Sequence, residues 1–249
     1  MRATFCSCMK QSVFSLAFLI SVVGCVIVLI FASADAITDT LRAKELLEAG
    51  WHNAIMLDAV RSDAFMLAMP ILAAIPYATA FVDDLKSGYI RLYLHRTTVY
   101  RYLISKIVVC AITGGFAIII GYFAVYAIFT GIFLPAEAKG SGESTFDVLK
   151  YALNIFLEGA LWSCVGMLLS AVTENRYISY ASPFIVCYLL IILHERYARD
   201  YYALYPVEWI STAESWPLGG FSISLLILEL IAVCIALFLL IGERRLRRL

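Results

Sequence analysis

Charge is the scarcest property of this chain. Only 15% of its 249 residues are charged, against about a quarter in an ordinary soluble domain. A soluble globular fold is thereby excluded. The charges that exist cancel, 19 basic against 19 acidic, so net charge names no partner and lends no support to nucleic-acid binding. Histidine is nearly absent. His52, His95 and His194 are far apart and stand near the ends of apolar runs, so they suggest no metal centre. Enzyme signatures are also missing. There is no Gly-x-Ser-x-Gly, no His-Glu-x-x-His and no Gly-x-x-x-x-Gly-Lys-Ser/Thr loop, and the chain is expected not to be an enzyme.

Cysteine is present but badly placed for cross-linking. Cys25, Cys110, Cys164, Cys187 and Cys234 lie inside apolar runs, and Cys6 and Cys8 precede the first. None falls in a segment expected outside the cell, so no structural disulfide is expected. Cys6-x-Cys8 alone is a poor metal signature, because no further Cys or His lies nearby.

What fills the chain is apolar surface. Hydrophobic residues make up 62% and the mean hydropathy is +0.86. They come in blocks near the ~20 residues that a bilayer crossing needs. The blocks predict an all-α membrane protein of one domain, with six spans at 12–32, 63–82, 103–134, 151–172, 178–194 and 221–242. Pro70 and Pro76 should kink the second span, and the short fifth span contains Pro183. Gly159, Ser163, Gly166 and Ser170 form a small-residue stripe suited to close helix packing, as do Ala117, Gly121 and Ala124. Before the last span, residues 195–220 carry Tyr197, Tyr201, Tyr202, Tyr205, Trp209 and Trp216 between prolines and glycines. Such rings favour the membrane boundary, and broken, re-entrant-like helices are expected there.

Six spans put both termini on one side. Most of the cations then collect with the termini: Arg2, Lys10, Lys86, Arg91, Arg96, Arg101, Lys106, Arg176 and the C-terminal arginines. Only Asp83, Asp84, Glu174 and Glu243 accompany them. The positive-inside rule makes that side cytoplasmic, in a multi-pass plasma-membrane protein. The densest cationic stretch is 83–106, between the second and third spans. Leu85, Tyr89, Leu92 and Arg96 recur there at helical spacing, which reads as a short amphipathic helix on the inner face.

Two carboxylates fall inside spans. Glu158 and Glu229 each lie about 10–12 Å in from the outer end of their helix, at matching depth. No cation shares that level, and ionisable groups in lipid are functional candidates by default. Asn154, one turn before Glu158, is placed to donate a hydrogen bond to it.

The run Phe81-Val-Asp-Asp-Leu-Lys-Ser-Gly88, then Ile90-Arg91-Leu92, then Tyr100-Arg101 and Lys106, resembles the permease subunit of a type-2 ABC exporter. Asp84 and Gly88 match that family's acid and glycine, and Arg101 and Lys106 match its later basic positions. Thr97-Thr98 stands where the family often has a proline. The resemblance implies a half-transporter. Asp84, Gly88, Arg91, Leu92, Arg96, Arg101 and Lys106 would couple it to separate cytoplasmic ABC ATPase subunits, and a second permease, identical or related, would complete the path. ATP and magnesium would be bound by the ATPase, and this chain would need no cofactor. Two other readings compete: an ion- or proton-coupled carrier or channel using Glu158 and Glu229, and a sensory or immunity protein on the same scaffold that moves no substrate.

Overall fold

The structure, a computed structural model, describes residues 2–43, 47–90, 98–137, 145–211, 216 and 221–247. Among them every regular element is helical. The only strand-like contact is an isolated bridge between Leu47 and Glu137. Four helices are long and apolar enough to cross a membrane: α7 (Val99–Phe133), α8 (Thr145–Thr173), α9 (Arg176–Tyr197) and α11 (Phe221–Leu246). A fifth crossing arises if α1 (Arg2–Val13) and α2 (Leu16–Ala32), bent by 53° at their junction, count as one. The bend has a local cause. Ser15 leaves the helical region and its hydroxyl accepts the Phe18 N–H at 3.1 Å, starting a new helix.

The second expected span is not one helix. After α3 (Ala34–Ala43) and α4 (Trp51–Arg61), α5 runs Asp63–Ala74, and α6 (Ala80–Lys86) follows a turn. Twelve residues rise only about 18 Å. Pro76 is the physical reason, since it has no N–H to donate to the Leu72 carbonyl. That carbonyl accepts instead from the Ile75 N–H at 3.3 Å and from the Ser21 hydroxyl of α2 at 2.7 Å. The expected amphipathic helix is interrupted too. α6 stops at Lys86, and Gly88 adopts φ +71°, so Leu85 and Tyr89 do not share one helix.

α8 is the centre of the bundle. Its apolar window is 78% buried, against 28% for α9 and 17% for α11, which therefore lie at the periphery. The small-residue stripe of α8 serves several neighbours rather than one. A Cβ on Gly159 would lie 3.1 Å from Gly115 Cα of α7, and one on Gly166 would lie 2.6 Å from the Ser179 carbonyl of α9. Ser163 donates to the Cys110 carbonyl at 2.9 Å, and Ser170 to the Ala78 carbonyl at 3.3 Å. Gly121 of α7 similarly admits Cys25 of α2. In the aromatic segment, a 3-10 turn (Tyr202–Leu204) and the short α10 (Pro206–Ser211) fold back so that Trp209 stacks on Trp162 of α8.

Candidate functional site

Two tyrosines and an aspartate meet around one lysine. Phe81 and Val82 bury one face of α6, which turns Asp84 toward the first turns of α7. There Lys106, only 4% exposed, lies with Nζ 2.7 Å from Asp84 Oδ2. Tyr102, one turn earlier on α7, donates its hydroxyl to the same carboxylate oxygen at 2.6 Å. Lys106 donates in turn to the Tyr77 hydroxyl at 3.1 Å, and its ammonium sits over both tyrosine rings. Cys8 of α1 lies against Tyr77. The hub therefore ties α1, the Pro76 turn, α6 and α7 together.

A buried ammonium without its counter-ion is very costly, so this pair resists separation. Removing one member of such a pair typically costs about 3–5 kcal/mol. Mechanically the hub is a strut, and displacement of α6 must carry α7 with it. The resemblance assigned Asp84 and Lys106 to coupling with an ATPase; within this chain they face each other, and Lys86 and Arg101 are exposed cations beside them.

Gly88 ends this element for a conformational reason. Its N–H donates to the Leu85 carbonyl at 3.3 Å, and Ser87 N–H to Asp83 at 3.0 Å. Among the described residues nothing lies within 4 Å of a Cβ built on Gly88, so its positive φ explains the glycine. Arg91, Leu92, His95 and Arg96 lie outside the described residues.

A second tier of charge surrounds the hub. Arg176 at the start of α9 pairs with Asp83, and Arg245 near the end of α11 pairs with Glu174. Glu174 stands in the left-handed region at φ 54°, closing α8. The short α8–α9 turn is thus held from both sides, to α6 and to α11. Partly exposed pairs like these contribute roughly 0–1 kcal/mol each and weaken with salt.

The intramembrane acids occupy opposite environments. Glu158 is 1% exposed, and its Oε1 has no hydrogen-bond partner among the described residues. Glu229 is exposed on the outer face of α11. Asn154 does not serve Glu158. Its Oδ1 accepts from Ser224 Oγ at 2.7 Å, joining α8 to α11.

Sequence reasoning missed the clamp at the far end of the bundle. Glu137, after α7, accepts the backbone N–H of Gly50 at 3.1 Å and of His52 at 2.7 Å, and its Oε1 lies 2.7 Å from His52 Nδ1. It caps the start of α4 from 85 residues away in sequence. Burial by itself would raise the Glu137 pKa, but the two backbone N–H groups and the His52 ring outweigh it and hold the carboxyl below its usual value. The signal available in the sequence was Gly50-Trp51-His52 at a helix start, which lacks a capping side chain of its own. His194 stacks on Tyr205 at 4.3 Å, far from His52 in sequence. Cys6 is exposed and Cys8 buried, so the two thiols face different surroundings. No group of three or more potential metal ligands occurs among the described residues.

No family model, no curated protein and no solved structure matches this chain.

Proposed function

We propose that this chain is the membrane-spanning permease subunit of an ATP-driven exporter of the type-2 ABC class, in the plasma membrane, with both termini cytoplasmic. The Asp84–Lys106 pair is the observation that carries the reading. It fastens the acid–x3–glycine element rigidly to the start of a span, and force transmission into a bundle requires such a joint. The broken α5–α6 passage supplies the second of six crossings, and the folded-back Trp209 segment is the re-entrant element before the last. The segment following Gly88, with Arg91, Leu92 and Arg96, seats in a groove of a separate ATPase subunit, where ATP and magnesium are bound. Closure of that ATPase pushes on α6, and the hub passes the motion to α7.

Affinity purification with this chain as bait tests the proposal. An ATPase subunit bearing a Gly-x-x-x-x-Gly-Lys-Ser/Thr loop should co-purify, and Gly88→Trp or Arg91→Glu should uncouple its ATP hydrolysis from transport in vesicles. Purification without any ATPase, or full coupling in both variants, overturns it.

The unpartnered buried carboxyl of Glu158 favours one second reading, a proton-coupled carrier. That reading requires uptake or efflux driven by a proton gradient in ATP-free vesicles. Glu229 does not join Glu158 in it, because the two acids face different surroundings.

A further inference from the structure

α9 is built inside out. Its buried residues are Ser179, Ser182, Pro183, Cys187 and His194, with no large aliphatic side chain among them. Ile185, Leu189 and Leu193 are exposed instead. A small-residue stripe alone would serve only close packing. Four buried polar atoms say more. Ser179 Oγ, Ser182 Oγ and His194 Nδ1 on α9, and Glu158 Oε1 on α8, have no hydrogen-bond partner among the described residues. None of these side chains belongs to a residue more than 8% exposed. Polar and ionisable groups turned into a membrane bundle line ion and proton routes.

Three contacts fix the register. Pro183 faces Gly166 of α8. Cys187, one turn further along α9, is close enough to Glu158 to feel its charge. Tyr205 stacks on His194 at 4.3 Å, and Trp209, one turn after Tyr205, stacks on Trp162 of α8. Trp162 is itself one turn from Glu158. α8 and α9 run antiparallel across a short turn, so Glu158 stands about 12 Å from the Gly166 contact. In the same direction Cys187 stands about 6 Å from it and His194 about 16 Å. Cys187 and His194 are two turns apart on one face of α9. Glu158 therefore lies between them in height, on the seam that both line.

The two ends of the seam differ. Tyr205, over His194, has its hydroxyl pKa raised by burial and then by the carboxylates of Glu195, Asp63 and Glu208. Glu195 and Asp63 are exposed, so this end draws cations from water. At the other end a Cβ on Gly166 would lie 2.6 Å from the Ser179 carbonyl and 3.3 Å from Ala74 Cβ. There α5, α8 and α9 close on one another, with the Ser182 and Ser179 hydroxyls continuing the polar face beyond. We infer that the seam is a proton-binding site, entered from the outer water past His194, ending on Glu158 and shut from the inner side at Gly166. His194 takes a proton from the outer water and passes it through bridging water to the Glu158 carboxylate; the imidazole is thereby restored, and the reverse transfer frees the carboxylate. A proton is the ligand, since no group of three or more potential metal ligands occurs among the described residues. The inference rests on the proton-coupled reading of Glu158, and on the proposed orientation for calling the His194 end outer.

Sided carbodiimide labelling tests it. Right-side-out membrane vesicles holding the full chain are treated with dicyclohexylcarbodiimide, which enters through lipid and reacts with protonated carboxyls. Peptide mass spectrometry reads the fraction modified at Glu158. Raising the outer pH at fixed inner pH should cut that fraction several-fold, and raising the inner pH should leave it unchanged. Labelling that follows the inner pH, follows neither, or is absent overturns the inference. After a jump in outer pH, labelling should adjust more slowly in His194→Gln than in the unaltered chain. Silver ions added outside should slow it in the unaltered chain, by binding the Cys187 thiol, and not in Cys187→Ala. Equal rates in His194→Gln, or a silver effect that survives in Cys187→Ala, overturn the route. Outer-sided labelling without proton-driven transport in ATP-free vesicles would defeat the carrier reading and leave this site standing. Proton-driven transport with labelling set by the inner pH would do the reverse.

Discussion

Lys106 and Asp84 are joined at 2.7 Å inside the bundle, and the same carboxylate oxygen also accepts from Tyr102. The pair spans the junction between α6 and α7, so it must either move as a unit or break. Breaking it by Asp84→Leu leaves a buried ammonium with one tyrosine acceptor. The expected loss is about 3–5 kcal/mol, read as a large drop in thermal midpoint in detergent. Asp84→Leu combined with Lys106→Met should recover much of that loss, because no charge is then stranded. If the double variant is as unstable as the single, the pair is not the source of the stability.

Gly88 is held at φ +71°, with no described residue within 4 Å of where a Cβ would sit. Gly88→Ala should therefore cost about 1–2 kcal/mol from backbone strain alone, and Gly88→Asn less, since asparagine tolerates that region. Equal effects of the two substitutions, compared by thermal midpoint, would point to a steric cause instead.

The Leu72 carbonyl, to which Pro76 cannot donate, accepts from Ser21 at 2.7 Å and from the Ile75 N–H at 3.3 Å. Ser21→Ala should cost about 0.5–2 kcal/mol, the range for hydrogen bonds between helices in a membrane. In a Pro76→Ala background the carbonyl gains the helical N–H of position 76, so the same change should cost clearly less. A thermodynamic cycle over the four proteins measures this coupling, and a cycle that closes to zero removes the explanation.

The Glu137 clamp fixes a direction of pH dependence. Its carboxyl titrates lower in the folded chain than in the unfolded one. The stabilisation is therefore present above the unfolded pKa, about 4.3, and is lost as pH falls through the lower folded value. Amide exchange at the start of α4 should stay slow at pH 5 and accelerate only below about pH 4. Glu137→Gln should give fast exchange at all pH values, losing a charge-assisted bond of about 1.5–3 kcal/mol.

Glu158→Gln keeps the shape of the buried side chain and removes its proton exchange. It should lower transport while leaving expression and assembly intact. Unchanged vesicle transport by a well-expressed variant would reduce Glu158 to a structural group.

Much of the architecture was legible in the sequence because hydropathy is additive over neighbours. The runs that became α7, α8, α9 and α11 could be outlined to within several residues. Pro76 announced a break, although how complete it is depended on Ser21 reaching across from α2. The small-residue stripe on α8 was visible, but not that Gly159, Gly166 and Ser170 would each meet a different neighbour. Glu158 and Glu229 looked equivalent, having the same residue type and depth. Only the rotation of α8 and α11 about their axes set one inside and the other outside.

The amino-acid sequence by itself determined that this chain is helical and apolar enough for a membrane, and that an acid–x3–glycine element precedes its longest helix. Tertiary structure alone decided which polar groups meet. Lys106 with Asp84, Glu137 with His52, and Asn154 with Ser224 are separated by 22, 85 and 70 positions. The physical reason is that a helix and its apolar content follow from adjacent residues. Pairing between helices depends instead on their relative rotation and height, which only the packing of the whole bundle sets.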